Sequence, residues 1–167
     1  MKALHMLAAL LFIPALALAA EQYEVTEKVD VNAPAAKVWD VVKDFGNLNG
    51  WHPAVAKTEI LSGDPKTVGA VRMLSVGETG KVKETLTAYS DQDMSFGYVI
   101  NETNALPVKD YAATLKVTAN GDKAATVQWT GKFTANPPEG KPDTMARDTM
   151  STVYRAGLDN LKKMLEK

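Results

Sequence analysis

The chain has no cysteine among its 167 residues and only two histidines, His5 near the start and His52 in the remainder. The first absence excludes disulfides, thiol nucleophiles and cysteine-ligated metals. With one histidine after residue 20, no His/Glu cluster has metal-ligand spacing, and Ser62, Ser75 and Ser90 have no histidine near them in sequence to activate a serine nucleophile. The glycines form no phosphate-binding loop between a strand and a helix. No bound cofactor is expected. Lys and Arg total 19 against 20 Asp and Glu and are scattered rather than clustered, so nucleic acid is not an expected partner.

Long apolar runs are also scarce, and the one present is at the start. Lys2 supplies a positive charge, Leu4 to Leu18 is apolar apart from His5, and Ala17-Leu18-Ala19 has the A-x-A form of a cleavage site. The run is shorter than the ~20 residues that span a bilayer. It predicts a signal peptide over residues 1–20, cleavage near Ala19 or Ala20, and an exported, periplasmic product without a membrane anchor. Residues 21–167 have the length of one ordinary domain, able to bury ~68–70% of its unfolded surface without disulfides.

Beyond residue 20, Tyr23, Val25, Val29 and Val31 alternate with charged residues at the period of a half-buried strand. Val38, Val41, Val42 and Phe45 then recur at helical spacing, with Asn32 as a candidate cap, Pro34 in the first turn and Gly46 as the stop. From Lys57 the chain becomes strand-like: 57–61, 70–76, 81–89, 94–100, 111–118 and 124–133, with Asn120-Gly121 the strongest hairpin signal. After Asn136-Pro137-Pro138-Glu139-Gly140 the period is helical again, with Met150, Val153, Tyr154, Leu158, Leu161 and Leu165 on one stripe. An antiparallel meander and one long amphipathic helix must bury their apolar faces on each other. There is no internal repeat or linker.

Val38 to Val55, ending in Trp51-His52-Pro53, together with Gly69-Ala70-Val71-Arg72, Lys83-Glu84-Thr85-Leu86 and Leu106-Pro107-Val108-Lys109-Asp110-Tyr111, resembles the START/Bet v 1-like (SRPBCC) superfamily in its polyketide cyclase/dehydrase and lipid-transport branch. The resemblance covers nearly all of residues 21–167. It implies an α+β helix-grip fold: a curved antiparallel sheet of about seven strands around a long C-terminal helix, two short helices after the first strand, and a ligand cavity between sheet and helix.

Candidate site residues follow. Arg72 and Glu84 fall on neighbouring strands and meet across them if the hairpin turns within 75–80. The resemblance to members with an arginine and a glutamate in the pocket implies proton transfer, with Arg72 holding an anionic or polarised oxygen and Glu84 moving the proton. The alternative is a cross-strand ion pair on the solvated face. Trp51 is a structural plug or a cavity wall, and His52 either an acid/base or a structural hydrogen-bonding group. Tyr98, Tyr111 and Trp129 on predicted strands, with Tyr154 on the helix stripe, either line an apolar cavity with polar tips or form plain core.

Three functions remain open at this stage. The first is an exported protein binding an apolar or amphipathic small molecule. The second is a cofactor-free cyclase, dehydratase or isomerase using Arg72 and Glu84 with support from His52 or Tyr111. The third, implied by exported members of methanol-dehydrogenase systems, is an accessory protein whose partner is a periplasmic redox enzyme.

Overall fold

The computed structural model describes residues 22–167, and the expected signal peptide and cleavage site lie outside the described residues. Seven strands follow the order β1 (Gln22–Val31), β2 (Val55–Ser62), β3 (Val71–Val76), β4 (Gly80–Ser90), β5 (Ser95–Thr103), β6 (Val108–Ala119) and β7 (Ala125–Ala135). Helix α1 (Ala35–Val42) and a 3₁₀ turn (Leu48–Gly50) connect β1 to β2, and α2 (Thr144–Leu165) closes the chain. All neighbours pair antiparallel in the spatial order β1-β7-β6-β5-β4-β3-β2, so the α+β helix-grip reading holds.

Local details depart from expectation between β1 and β2. Asn32 does not cap α1: Pro34 occupies the cap position without a side-chain bond, and the Asn32 backbone N–H instead donates to Glu166 Oε1 at 2.7 Å. Helix α1 ends at Val42 instead of running to Gly46, and the second short helix is a single 3₁₀ turn. The Asn120-Gly121 hairpin forms where expected, with Asn120 N–H bonded to the Ala124 carbonyl and Gly121 at φ +75°. That left-handed angle suits a residue without a Cβ.

Period-two alternation decides what faces α2. On β6, Tyr111, Ala113, Leu115 and Val117 are buried; on β7, Ala125, Val127, Trp129 and Phe133. The inward set of β4 is Val82, Glu84 and Leu86, so the strand that builds the apolar face also carries a carboxylate into it. Against this face α2 lays Met150, Tyr154, Leu158 and Leu161, each worth ~1.5–3 kcal/mol when taken from water.

Polar ties set the pose of α2 on the β1 side. Ser151 Oγ and Arg155 Nη2 donate to the two oxygens of Glu27 at 2.5 and 2.6 Å, and Lys162 Nζ donates to the Asp30 carbonyl at 2.5 Å. Asn160 Nδ2 donates to the Trp51 carbonyl at 2.8 Å, which joins the helix to the loop carrying His52.

Candidate functional site

Between the sheet and α2 lies a cavity of ≈ 50 Å³, taken as the space open to the centre of a water molecule. Its apolar wall comes from Leu48, Val55, Leu74, Val82, Leu106 and Met150, and the residues with polar groups in its lining are Glu84, His52, Tyr98, Tyr111 and Tyr154. Exposed Ala54 and half-buried Val76, Ile100, Leu106 and Val153 reach from this lining to the surface and form its rim.

Arg72 and Glu84 stand directly opposite in the β3–β4 register, both buried, with Arg72 Nε donating to Glu84 Oε2 at 2.5 Å. The solvated-face alternative is therefore excluded. Only Glu84 lines the cavity. Arg72 is spent on the protein itself: Nη1 donates to the Phe45 carbonyl at 2.7 Å, and its guanidinium carbon lies 3.8 Å from the centre of the Phe45 ring. The expected role of Arg72 as holder of a substrate oxygen does not fit this placement; it positions and compensates Glu84. Burial pushes the Glu84 carboxyl above its ordinary range, opposed by the charge and hydrogen bond of Arg72.

Trp51 is buried and absent from the cavity wall, so of its two readings the structure takes the plug. Its ring lies 5.6 Å from that of Trp129, behind the lining. His52 does face the cavity, yet both ring nitrogens are occupied. Nε2 contacts the Val153 carbonyl at 2.9 Å, so it carries the proton and donates, while Nδ1 accepts from Ala54 N–H at 3.2 Å. Burial lowers the His52 pKa, partly offset by the Val153 bond, so the neutral ring is favoured. This is a structural clamp between the 48–55 loop and α2. Gly157 permits it: a Cβ there would stand 2.6 Å from His52 Cδ2.

Tyr98, Tyr111, Trp129 and Tyr154 come together as one hydrogen-bonded string along the wall. Trp129 Nε1 donates to Tyr98 Oη at 3.0 Å, Tyr98 Oη meets Tyr111 Oη at 3.1 Å, and Tyr111 Oη meets Tyr154 Oη at 2.5 Å. Trp129 and Tyr154 also stack, with ring centres 4.7 Å apart. Burial pushes the pKa values of all three tyrosines well up, so each keeps its proton at neutral pH.

A backbone irregularity aims the middle member. Between Lys109 and Ala112 the β6–β7 register slips, and Asp110 sits there at φ 51°, in the left-handed region. A bulge of this kind adds a residue on one strand and re-aims the side chain beside it, here Tyr111. Nothing in the Leu106–Tyr111 motif announced the bulge, since the left-handed residue is an Asp and not a Gly. Phe45 as carbonyl acceptor and ring for Arg72, and Gly131 and Gly157 as the space for Tyr154 and His52, also went unread. For Gly131 a signal was available, because glycine inside a strand often marks close approach.

Among the described residues no group of three His, Asp or Glu side chains is placed to hold a metal ion. No helix among them is long and apolar enough to cross a membrane.

The same fold occurs in solved structures. The protein XoxI from Bacillus cereus superposes with a TM-score of 0.76 at 22% identity, over 85% of this chain and 94% of that one. The Zhui aromatase/cyclase from Streptomyces sp. R1128 gives 0.71 at 22% identity, over 87% and 94%. A protein from Thermobifida fusca gives 0.73 at 30% identity, over 84% and 91%. Residues 22–166 match the family model described as polyketide cyclase / dehydrase and lipid transport. With the match spanning nearly all of the described residues, and with the helix-grip fold and sheet-to-helix cavity in place, the chain belongs to the polyketide cyclase/dehydrase and lipid-transport family of the SRPBCC superfamily.

Proposed function

We propose that this chain is an exported, periplasmic binding protein that takes an apolar or amphipathic small molecule into the cavity between sheet and α2. The observation that carries the reading is the wall: aliphatic and aromatic on nearly every side, with a few fixed polar tips, the composition of a small-molecule site. Export is supported by the charged start, apolar run and A-x-A site of residues 1–20. At ≈ 50 Å³ the cavity has room for a few water molecules, so a larger ligand must part the rim at Leu106, Ile100 and Val153. Native mass spectrometry of the protein purified from its own periplasm tests both halves. A co-purifying apolar molecule on a chain beginning at Ala20 or Glu21 is expected; a chain retaining Met1, or one that binds no apolar molecule, would sink the corresponding half.

A second reading is favoured by Glu84. A buried carboxyl with its affinity for protons raised, facing an enclosed apolar cavity, is suited to acid/base work of the cyclase, dehydratase or isomerase type. In that reading Glu84 moves the proton, Arg72 positions it, and the tyrosine string stabilises developing negative charge on an oxygen. Glu84→Gln should then cut turnover ~10²–10⁴-fold while ligand binding persists. A redox-enzyme partner has no comparable support. Among the described residues the exposed large apolar side chains are dispersed, with Met145 and Met164 roughly 28 Å apart along α2 and Leu61 and Val68 on and beside the edge strand β2.

A further inference from the structure

The polar groups of the cavity do not balance among themselves. Tyr98, Tyr111 and Tyr154 bring three hydroxyl protons, and the two oxygen–oxygen contacts in the string use two of them. Trp129 N–H adds a donor and no acceptor. Whichever way the string is oriented, one tyrosine proton has no acceptor among the described residues. Glu84 has the opposite surplus. Its Oε2 receives Arg72, while Oε1 receives no hydrogen bond from any described residue. No buried side-chain oxygen or nitrogen among the described residues is sealed off without a partner, so Oε1 opens onto the cavity that Glu84 lines.

The unmatched donor and the unmatched acceptor thus belong to residues that line a single ≈ 50 Å³ space. A hydrocarbon satisfies neither and, by displacing the water that can bridge them, leaves two buried polar groups unpaired. With Glu84 ionised against Arg72, a carbonyl or ether accepts from the tyrosine and offers Glu84 nothing. A carboxylate places a second negative charge beside Glu84. A hydroxyl does both, donating through its hydrogen and accepting through its lone pairs. We infer that the ligand of this cavity carries a phenolic or alcoholic hydroxyl on an apolar frame, which accepts the spare tyrosine proton and donates its own to Glu84 Oε1. The inference rests on the reading of the cavity as a small-molecule site and names the chemical class it selects.

The test uses the unaltered protein at pH 8, titrated with p-cresol, p-xylene and p-tolualdehyde and followed by NMR at the Trp129 indole N–H and the tyrosine rings. The cresol and the xylene have nearly the same shape and differ by hydroxyl against methyl; the aldehyde can only accept. The cresol should bind ~10–100-fold tighter than the xylene, the range for a hydrogen bond to a charged group, and tighter than the aldehyde. Equal or tighter binding of the xylene or the aldehyde overturns the inference and leaves the cavity reading standing. Failure of all three probes to shift the cavity resonances overturns the cavity reading and the inference with it.

Discussion

The Tyr154 hydroxyl sits where a side chain on Gly131 of β7 would stand: a Cβ at residue 131 would lie 1.9 Å from Tyr154 Oη and 3.3 Å from the Tyr111 ring. The absent side chain of one residue is the seat of another, and the tyrosine string depends on it.

Gly131→Ala therefore has no room without moving α2 or breaking the string. Overpacking of this kind costs about 1–3 kcal/mol. Urea unfolding of Gly131→Ala, Tyr154→Phe and the double variant should show that the two losses do not add, because removing the hydroxyl removes the clash. Strictly additive losses would mean that the contact is not what makes Gly131 necessary.

Glu84→Gln keeps the shape and leaves the Arg72 guanidinium buried without its counter-charge, at a cost of about 3–5 kcal/mol. Its pH dependence has a definite sign. Burial raises the folded carboxyl above an unfolded value of 4.5, so the folded state holds this proton more tightly. The Glu84 contribution accordingly favours folding most below that value and weakens as pH rises through the folded pKa. Melting temperatures measured across acid to neutral pH should lose this slope in Glu84→Gln; an identical slope in both proteins would show that Glu84 is not the group titrating.

His52 has the opposite sign. Its folded pKa lies below the usual 6.5, so its contribution is complete above that pH and is lost as pH falls through the lowered value. His52→Ala removes both ring hydrogen bonds, each worth about 0.5–1.5 kcal/mol, and should cost roughly 1–3 kcal/mol at neutral pH. His52→Gln should flatten the acid limb just below pH 6.5. If that limb survives unchanged, the two ring contacts do not hold the ring neutral.

Asp110 tests the bulge. At φ 51° glycine is at no disadvantage, whereas a β-branched residue is strained by roughly 1–3 kcal/mol. Asp110→Gly should match the parent in stability and Asp110→Val should fall below it, with weaker probe binding as Tyr111 loses its aim. Equal stability of the two variants would contradict a left-handed residue at this site.

The parts legible in the sequence are those written in period. Seven strands and the stripe on α2 are repeated patterns, each confirmed several times along its own element, and they carry the fold. Glu84 was legible as a candidate but its direction was not: the cavity and the solvated face both fitted the sequence, and its burial beside Val82 and Leu86 decides between them. What period cannot encode is the meeting of single residues distant in the chain. Phe45 offers Arg72 a backbone carbonyl, which has no sequence identity at all. The two nitrogens of His52 find partners on a loop and on the middle of α2, so its protonation state follows from tertiary placement. Trp51 and Trp129 are alike in composition, and only the assembled wall distinguishes the plug from the lining.

The strand order also bears on how the chain reaches this state. β1 comes first in sequence but pairs only with β7, Gln22 lying beside Thr134, and β2 closes the opposite edge. Such distant pairing is entropically late and makes folding slow compared with a chain of local contacts. During synthesis, the meander from β2 to β6 can form hairpin by hairpin, while β1 waits unpaired until the last third of the polypeptide has emerged. A topology that completes itself only at its final elements commits the domain to its native form after the rest of the chain has emerged.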